Sequence, residues 1–284
     1  MISSLLSSDT FWFVFVAHFI HMTMMWLIRI PLKNYGMVDL GWPSGFFFIT
    51  LIYTLSSQVQ GNFWRRWVIA IPYLFCGLRF MYGWVLRNRK EGEDHRWQMW
   101  RDKWTSGKGI FGIRSHTINT FIFYHCQSFA NIFVLTMPVA ISSRSTKELS
   151  WVEIASIIMW VASFTLENVA DAQLARFRYK SSNKGKVCKV GLWRYSRHPN
   201  YFFELMIWCS YALYAVSVCD QLIDYVVIVL GVPLVAYWFL VHFTGVPMTE
   251  EGSLKRRGEE YKKYVDETSM IVPWFPKVSK QSGN

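Results

Sequence analysis

Seven stretches of the chain stay largely apolar for about twenty residues at a time, with polar segments between them. They fall at 10–28, 41–57, 67–86, 117–141, 150–168, 201–219 and 222–246. A helix rises 1.5 Å per residue, so about 20 apolar residues cross the ~30 Å hydrocarbon core of a bilayer. The pattern predicts an all-α fold, an integral membrane bundle of about seven transmembrane helices. The second stretch is short and opens with GWPSG, so it is expected to begin as a re-entrant turn. MISSLLSSD carries no basic residue ahead of the first stretch, and no small-x-small site follows it. It therefore reads as a first span and not as a removed signal. No internal repeat or low-complexity segment divides the chain, which reads as a single membrane domain, 1–284. Residues 247–284 form a tail whose GSLKRRGEEYKKYVDE predicts a short helix ending before Pro273.

Charge adds orientation. With seven spans, alternate loops share a side. On one side lie Arg29 and Lys33, eight basic residues from Arg87 to Arg114, eight from Arg176 to Arg197 and seven from Lys255 to Lys280. The other side has four: Arg65, Arg66, Arg144 and Lys147. The positive-inside rule puts the rich side in the cytosol, so the N-terminus is expected outside it and the C-terminus within.

Composition agrees. The chain has 284 residues, 52% hydrophobic, with 15 Trp and 22 Phe, yet a net charge of +11. A multi-span protein with basic loops has this combination. The basic residues sit between apolar spans and form no stripe, so nucleic acid is not an expected partner, whereas membrane lipid is. The five cysteines are scattered and have no paired spacing, which predicts small apolar side chains in helices rather than a disulfide framework or zinc site. His18, His21, His125 and His242 lie in spans without ligand spacing, so they read as hydrogen-bonded core histidines. No metal is expected.

The polar residues near span ends carry the candidate chemistry. GLWRYSRHPNYFFE (191–204) leads into the sixth stretch. Pro199 suits the first helical position, His198 the cap and Asn200 the first turn. The free N–H groups of a helix start favour an anion, and Arg194 and Arg197 add full charges beside Tyr195 and Tyr201. This is a seat for a cofactor's phosphates; the other reading is a pair of arginines anchoring the helix at lipid headgroups. Asn200 and Glu204 are four apart and share a face, where a carboxylate accepts from a ribose hydroxyl or a carboxamide. In FTLENVADAQLARFRYK, Glu167, Asp171 and Arg178 lie close to one helical stripe, suited to a nucleotide's sugar and phosphate or to an internal ion-pair ladder.

Three further residues read as catalytic candidates. Asp39, in VDLGW, either caps the second helix or lies at the floor of an active site. Arg79 lies inside the third stretch and needs an anionic partner. Tyr82, three residues on, either donates a proton to a substrate carbonyl or is an interfacial aromatic. Glu91, Glu93, Asp94 and His95 read as a solvated loop. In the tail, Glu250, Glu251, Arg257, Tyr261 and Tyr264 either close a pocket from below or belong to a helix lying on anionic lipid.

Five segments together resemble the DUF1295 family, a group related to steroid 5-alpha-reductases. They are VDLGW, RNRKEGEDHRW, ENVADAQLARFR, GLWRYSRHPNYFFE and EEGSLKRRGEEYKKY, spread in family order over most of residues 35–276. HPNY alone is less specific, because isoprenylcysteine and phospholipid methyltransferases share an RHPxY segment and a similar acidic, tyrosine-bearing tail. The resemblance implies NADPH held from the cytosolic side. It implies that Asp171, Arg178, Asn200 and Glu204 bind it, and that hydride passes to an alkene conjugated with a ketone. Phe203 stands where the family usually has glycine, and the steroid reductases' ketone-gripping Gln-Glu pair has no clear counterpart near 35–57.

The expected function is thus an integral-membrane, NADPH-dependent reductase of a lipophilic enone, a sterol or another lipid. The expected cofactor-binding residues are Glu167, Asp171, Arg178, Arg194, Tyr195, Arg197, His198, Asn200, Tyr201, Glu204, Glu251, Arg257 and Tyr261, with Tyr82, Asp39 and Arg79 at the chemistry. The alternatives are an S-adenosylmethionine-dependent lipid or isoprenylcysteine-type methyltransferase and a non-catalytic sterol- or lipid-binding protein. The setting is a multi-pass membrane location, in the endoplasmic reticulum of a eukaryote or the inner membrane of a bacterium.

Overall fold

A computed structural model describes residues 1–243 and 245–277. Thr244, within the predicted 222–246 stretch, and the end of the tail with Lys280 lie outside the described residues, as does the side chain of His95. The described residues form helices and turns, with no strand among them. Five helices are long and apolar enough to cross a membrane: Asp9–Leu32, Tyr35–Leu55, Phe63–Glu91, Trp151–Tyr179 and Leu222–Glu267. The chain divides into two compact units. One comprises Met1–Glu153 with Tyr211–Val232, the other Ile154–Ser210 with Pro233 onwards.

The first unit opens with the short α1 (Ile2–Leu6) and continues through α2 (Asp9–Leu32), α3 (Val38–Leu55), α4 (Phe63–Glu91), α5 (His95–Thr105), α6 (His116–Ala130) and α7 (Met137–Ser142). Side-chain caps set the starts. Ser8 accepts from the Phe11 N–H, Asn62 from Arg65, Asp94 from Arg96 and Ser115 from Ile118, each satisfying a donor the helix leaves unpaired.

Three sequence expectations are corrected here. The GWPSG segment is not a re-entrant turn: α3 is a continuous helix from Val38 that carries Pro43 within it, entered by a 3-10 turn at Tyr35–Met37. Asp39 does not cap that helix, because Met37 holds the cap position without a side-chain bond and Asp39 is turned to other partners. The predicted 117–141 stretch is not one α-helix, since a π-turn at Asn131–Leu135 separates α6 from α7.

α3 packs along α4, while α2 packs along α3 and α6. The α2–α3 approach is close enough that a Cβ on Gly45 would run into the His18 ring. His18 and His125 are buried as expected, and His21 is half-buried, bonding Gly41 O at 3.2 Å and Ser44 Oγ at 3.0 Å. His242, in the other unit, is exposed.

A buried ion pair closes one end of this unit. Arg65, fully buried, pairs with Glu153 and donates to the carbonyls of Lys147 and Glu148 and to Ser217 Oγ. Glu153 also accepts from the Ser150 N–H at 2.6 Å and from the Ser217 hydroxyl at 2.6 Å. Buried charges are tolerable only when their hydrogen-bonding groups are satisfied in this way.

The second unit is built from most of α8 (Trp151–Tyr179) and the first two-thirds of α9 (Pro199–Val216). It also holds most of α11 (Val232–Trp238) and all of α12 (Val246–Glu267). α10 (Leu222–Tyr225) belongs to the first unit. π-turns at Val226–Gly231 and Phe239–Phe243 interrupt the last long helix. The predicted tail helix lies within α12, which ends at Glu267, before Pro273, and bends at Gly258, where φ is +52°.

Candidate functional site

The site lies in the second unit and begins with the loop between α8 and α9. Leu192 N–H donates to Gln173 Oε1 at 2.9 Å, and the Trp193 indole donates to the Ala170 carbonyl at 2.8 Å, so residues 191–194 fold down as a 3-10 turn on α8. Gly191 has φ +57°, and any Cβ there would collide with the Gln173 amide. A β-carbon is excluded both by backbone conformation and by space. Pro199 then opens α9, and the Phe202 N–H bonds the His198 carbonyl at 3.1 Å, the first turn expected of a proline-led start.

This docking brings two helix faces together. Asn200 Nδ2 donates to Asp171 Oδ1 at 3.1 Å. Glu167 is buried one turn before Asp171, and Glu204 is half-buried one turn after Asn200. The Asn200 carbonyl oxygen is buried and has no hydrogen-bond partner among the described residues. A buried amide oxygen without a donor costs about 1–3 kcal/mol, so it is a vacant acceptor for a ligand N–H or O–H.

Beyond these carboxyls the site is basic. Arg178, exposed near the end of α8, and Arg257 of α12 lie close enough to influence one another. Burial, with repulsion from Arg256 and Arg178, holds the Arg257 guanidinium below its ordinary value. Its Nε donates to the Lys186 carbonyl at 2.9 Å. Cys188 is within electrostatic reach of both; burial pushes its thiol up, partly offset by the Val190 N–H and by Arg178 and Arg257. Two guanidiniums brought near one another favour an anion. Arg194 is exposed, as is Tyr195, whose ring meets Phe275.

Arg197 and His198 have different surroundings from those of Arg178. Arg197 Nε pairs with Glu250 at 2.8 Å, and Nη1 donates to the carbonyls of Val265 at 3.0 Å and Thr268 at 2.7 Å. His198 Nε2 meets the same Glu250 oxygen at 3.0 Å, and its ring stacks on Tyr201 with 5.2 Å between centroids. Burial raises the Glu250 carboxyl, but the bonds from His198 and Arg197 outweigh it and hold the group below its ordinary value. Tyr264, buried, donates to the Trp193 carbonyl, and Ser196 Oγ donates to the Ile271 carbonyl at 2.7 Å. The Trp274 N–H reaches the Tyr195 carbonyl at 2.9 Å. Together these contacts strap residues 264–274 onto the 193–198 loop. Tyr261, buried beside Tyr264 and Val187, bonds Ser253; burial and the nearby Glu250 raise its hydroxyl to about 12. Glu251 pairs with Lys255 at 2.9 Å.

Sequence reading singled out Arg197 but missed its partners, the Val265 and Thr268 carbonyls, and missed the loop contacts of Ser196 and Gln173. It noted Glu250 only as part of the tail. None of these follows from spacing, since the Arg197–Glu250 contact joins residues 53 apart.

The proposed catalytic residues belong to the first unit. Asp39 accepts from the Trp97 indole at 3.3 Å and faces Arg96 and Arg87 at 3.6 and 3.7 Å. The Arg79 guanidinium lies over the Phe80 ring at 5.3 Å. Tyr82 is 66% exposed on α4, a position that either an interfacial aromatic or a group meeting a lipid-borne substrate occupies.

These features define a class: a helical protein with five helices able to span a membrane, carrying a polar and basic site where two of its helices meet. The chain matches the family described as "Protein of unknown function (DUF1295)" over residues 25–268 and belongs to that family. It is 24% identical over 238 residues to an uncharacterized protein of Schizosaccharomyces pombe, covering 74% of this chain and 65% of the relative. The chain thus spans just under two-thirds of that relative's length. No solved structure matches.

Proposed function

We propose that the protein is an NADPH-dependent reductase that saturates a C=C bond conjugated to a ketone in a lipophilic substrate. In this reading it crosses the membrane seven times, with the N-terminus outside the cytosol and the site on the cytosolic side. The observation that carries the proposal is the Asp171–Asn200 junction, with a buried, unused acceptor on Asn200 and the Arg178–Arg257 pair in the same unit. Acceptors for sugar hydroxyls and a carboxamide, together with a basic patch for phosphates, are what a pyridine dinucleotide needs. NADPH would supply the hydride. Asp171, Glu167 and Glu204 would accept from its hydroxyl and amide groups, Asn200 would take a donor at its free oxygen, and Arg178 and Arg257 would neutralise phosphate. Tyr82 is the candidate proton donor to the carbonyl, and Asp39 and Arg79 are the other catalytic candidates.

A methyltransferase is the rival. The Arg197–His198–Glu250 contacts and Tyr264 use residues that both families share, so they do not discriminate. Asn200 and Glu204 do, and they favour the reductase.

The test is thermal unfolding of detergent-purified protein with NADPH or S-adenosylmethionine. NADPH should raise the melting temperature. Asn200→Ala and Glu204→Ala should each weaken its binding roughly tenfold, for about 1.5 kcal/mol per lost bond, while melting normally without ligand. A response to S-adenosylmethionine alone would reverse the assignment. Binding of NADPH with no consumption across a panel of enones would leave a cofactor-binding protein without the proposed chemistry.

A further inference from the structure

Arg29 stands in the last turn of α2, in the first unit, with 3% of its surface exposed. Its guanidinium carbon lies 5.0 Å from the Trp26 ring and 4.6 Å from the Tyr35 ring. Nε and Nη2 are buried and have no hydrogen-bond partner among the described residues. These two nitrogens form one edge of the guanidinium fork, where two N–H bonds point the same way and match two oxygens of one anion.

The acids near Tyr35 are engaged elsewhere. Glu93 accepts the Tyr35 N–H at 2.5 Å and pairs with Arg101 at 2.8 Å. Asp39 takes the Trp97 indole and faces Arg87 and Arg96. Arg101 adds a second guanidinium 4.5 Å from the same Tyr35 ring. Two cation–π contacts are weak attractions. Burying an ion without hydrogen bonds costs several kcal/mol. The rings do not offset that cost, so the charge lacks an anion.

We propose that Arg29, flanked by Trp26 and Tyr35, is a phosphate-binding site, taking the oxyanion of either a lipid headgroup or a soluble phosphate ester through its Nε–Nη2 edge. The site belongs to residues that the NADPH reading does not use, and its test contains no NADPH, so either can fail alone.

The experiment compares wild type, Arg29→Met and Arg29→Lys in a maltoside detergent, delipidated until no phosphorus is detected. Each is melted in detergent alone, with inorganic phosphate and with phosphatidylglycerol, all at matched ionic strength. In detergent alone, Arg29→Met should melt no lower than wild type, because a buried unpaired charge has been removed. Wild type should then rise by a few degrees with one addition or both. Arg29→Met should not respond, and Arg29→Lys, which keeps the charge and loses the fork, should respond less. A response to phosphatidylglycerol only identifies a lipid headgroup; a response to inorganic phosphate identifies a soluble ester. Two results overturn the proposal: no Arg29-dependent shift with either addition, or an Arg29→Met variant that melts lower by the same margin in all three conditions, as a purely structural clamp between two rings would.

Discussion

Glu250 shows how a single carboxyl is set by groups far away in the chain. It carries two contacts at once, from Arg197 and from His198, and is held acidic by them. A carboxyl whose folded value lies below its unfolded one stabilises the fold fully above the unfolded value, about 4.5, and loses that contribution as pH falls through the folded value. Wild type should therefore lose melting temperature more steeply than Glu250→Gln as pH falls below about 4.5. At neutral pH the variant should be weaker by about 2 kcal/mol, the cost of a hydrogen bond to a charged partner. Parallel pH profiles for the two proteins would show that Glu250 is not a folding contact. Pairing at this distance left no trace in local pattern: EE at 250–251 reads equally as part of a helix lying on anionic lipid. Arg197, by contrast, was legible as a special residue, because charge at the mouth of an apolar stretch is costly wherever it points. Its anion-binding reading is unaffected for Arg194 and Arg178, whereas its own Nε and Nη1 are occupied within the protein.

At the scale of elements, the loop between α8 and α9 does the positioning. It runs over 180–198, its 191–194 turn is pinned by Gln173 and the Trp193 indole, and that turn depends on Gly191. Gly191→Ala should cost roughly 2–4 kcal/mol, combining the positive-φ penalty with overlap against Gln173. The melting temperature should fall by several degrees, and NADPH response should fall with it because Asn200 no longer meets Asp171. A variant that melts like wild type would show that the turn does not depend on glycine. The helix existence was readable from hydropathy, including the long α8 carrying Glu167, Asp171 and Arg178 on one stripe. The breaks were not. The π-turns at 131–135, 226–231 and 239–243 and the continuity of α3 through Pro43 depend on what each turn packs against, and an apolar run looks the same whether or not its ladder slips by one residue.

For the molecule as a whole, the loop charges make one prediction that needs no ligand. Single cysteines placed at Lys147 and at Lys184 in a cysteine-free background should react with a membrane-impermeant maleimide on opposite sides of sealed cells or vesicles. Labelling from one side would break the alternation of spans on which the seven-crossing topology rests.

What the sequence determined by itself is the solvent the protein lives in and the helical means by which it does so: long apolar runs need backbone hydrogen bonds closed within each segment, and local periodicity contains that information. It also marked Asn200 and Asp171 as worth attention. Only the tertiary structure decided that these two touch, that Arg197 is tied to Glu250 and the end of α12, and that Arg29 is buried with two donors unused. Those outcomes depend on contacts between residues tens of positions apart, whose energies arise from burial and geometry that no local stretch of chain encodes.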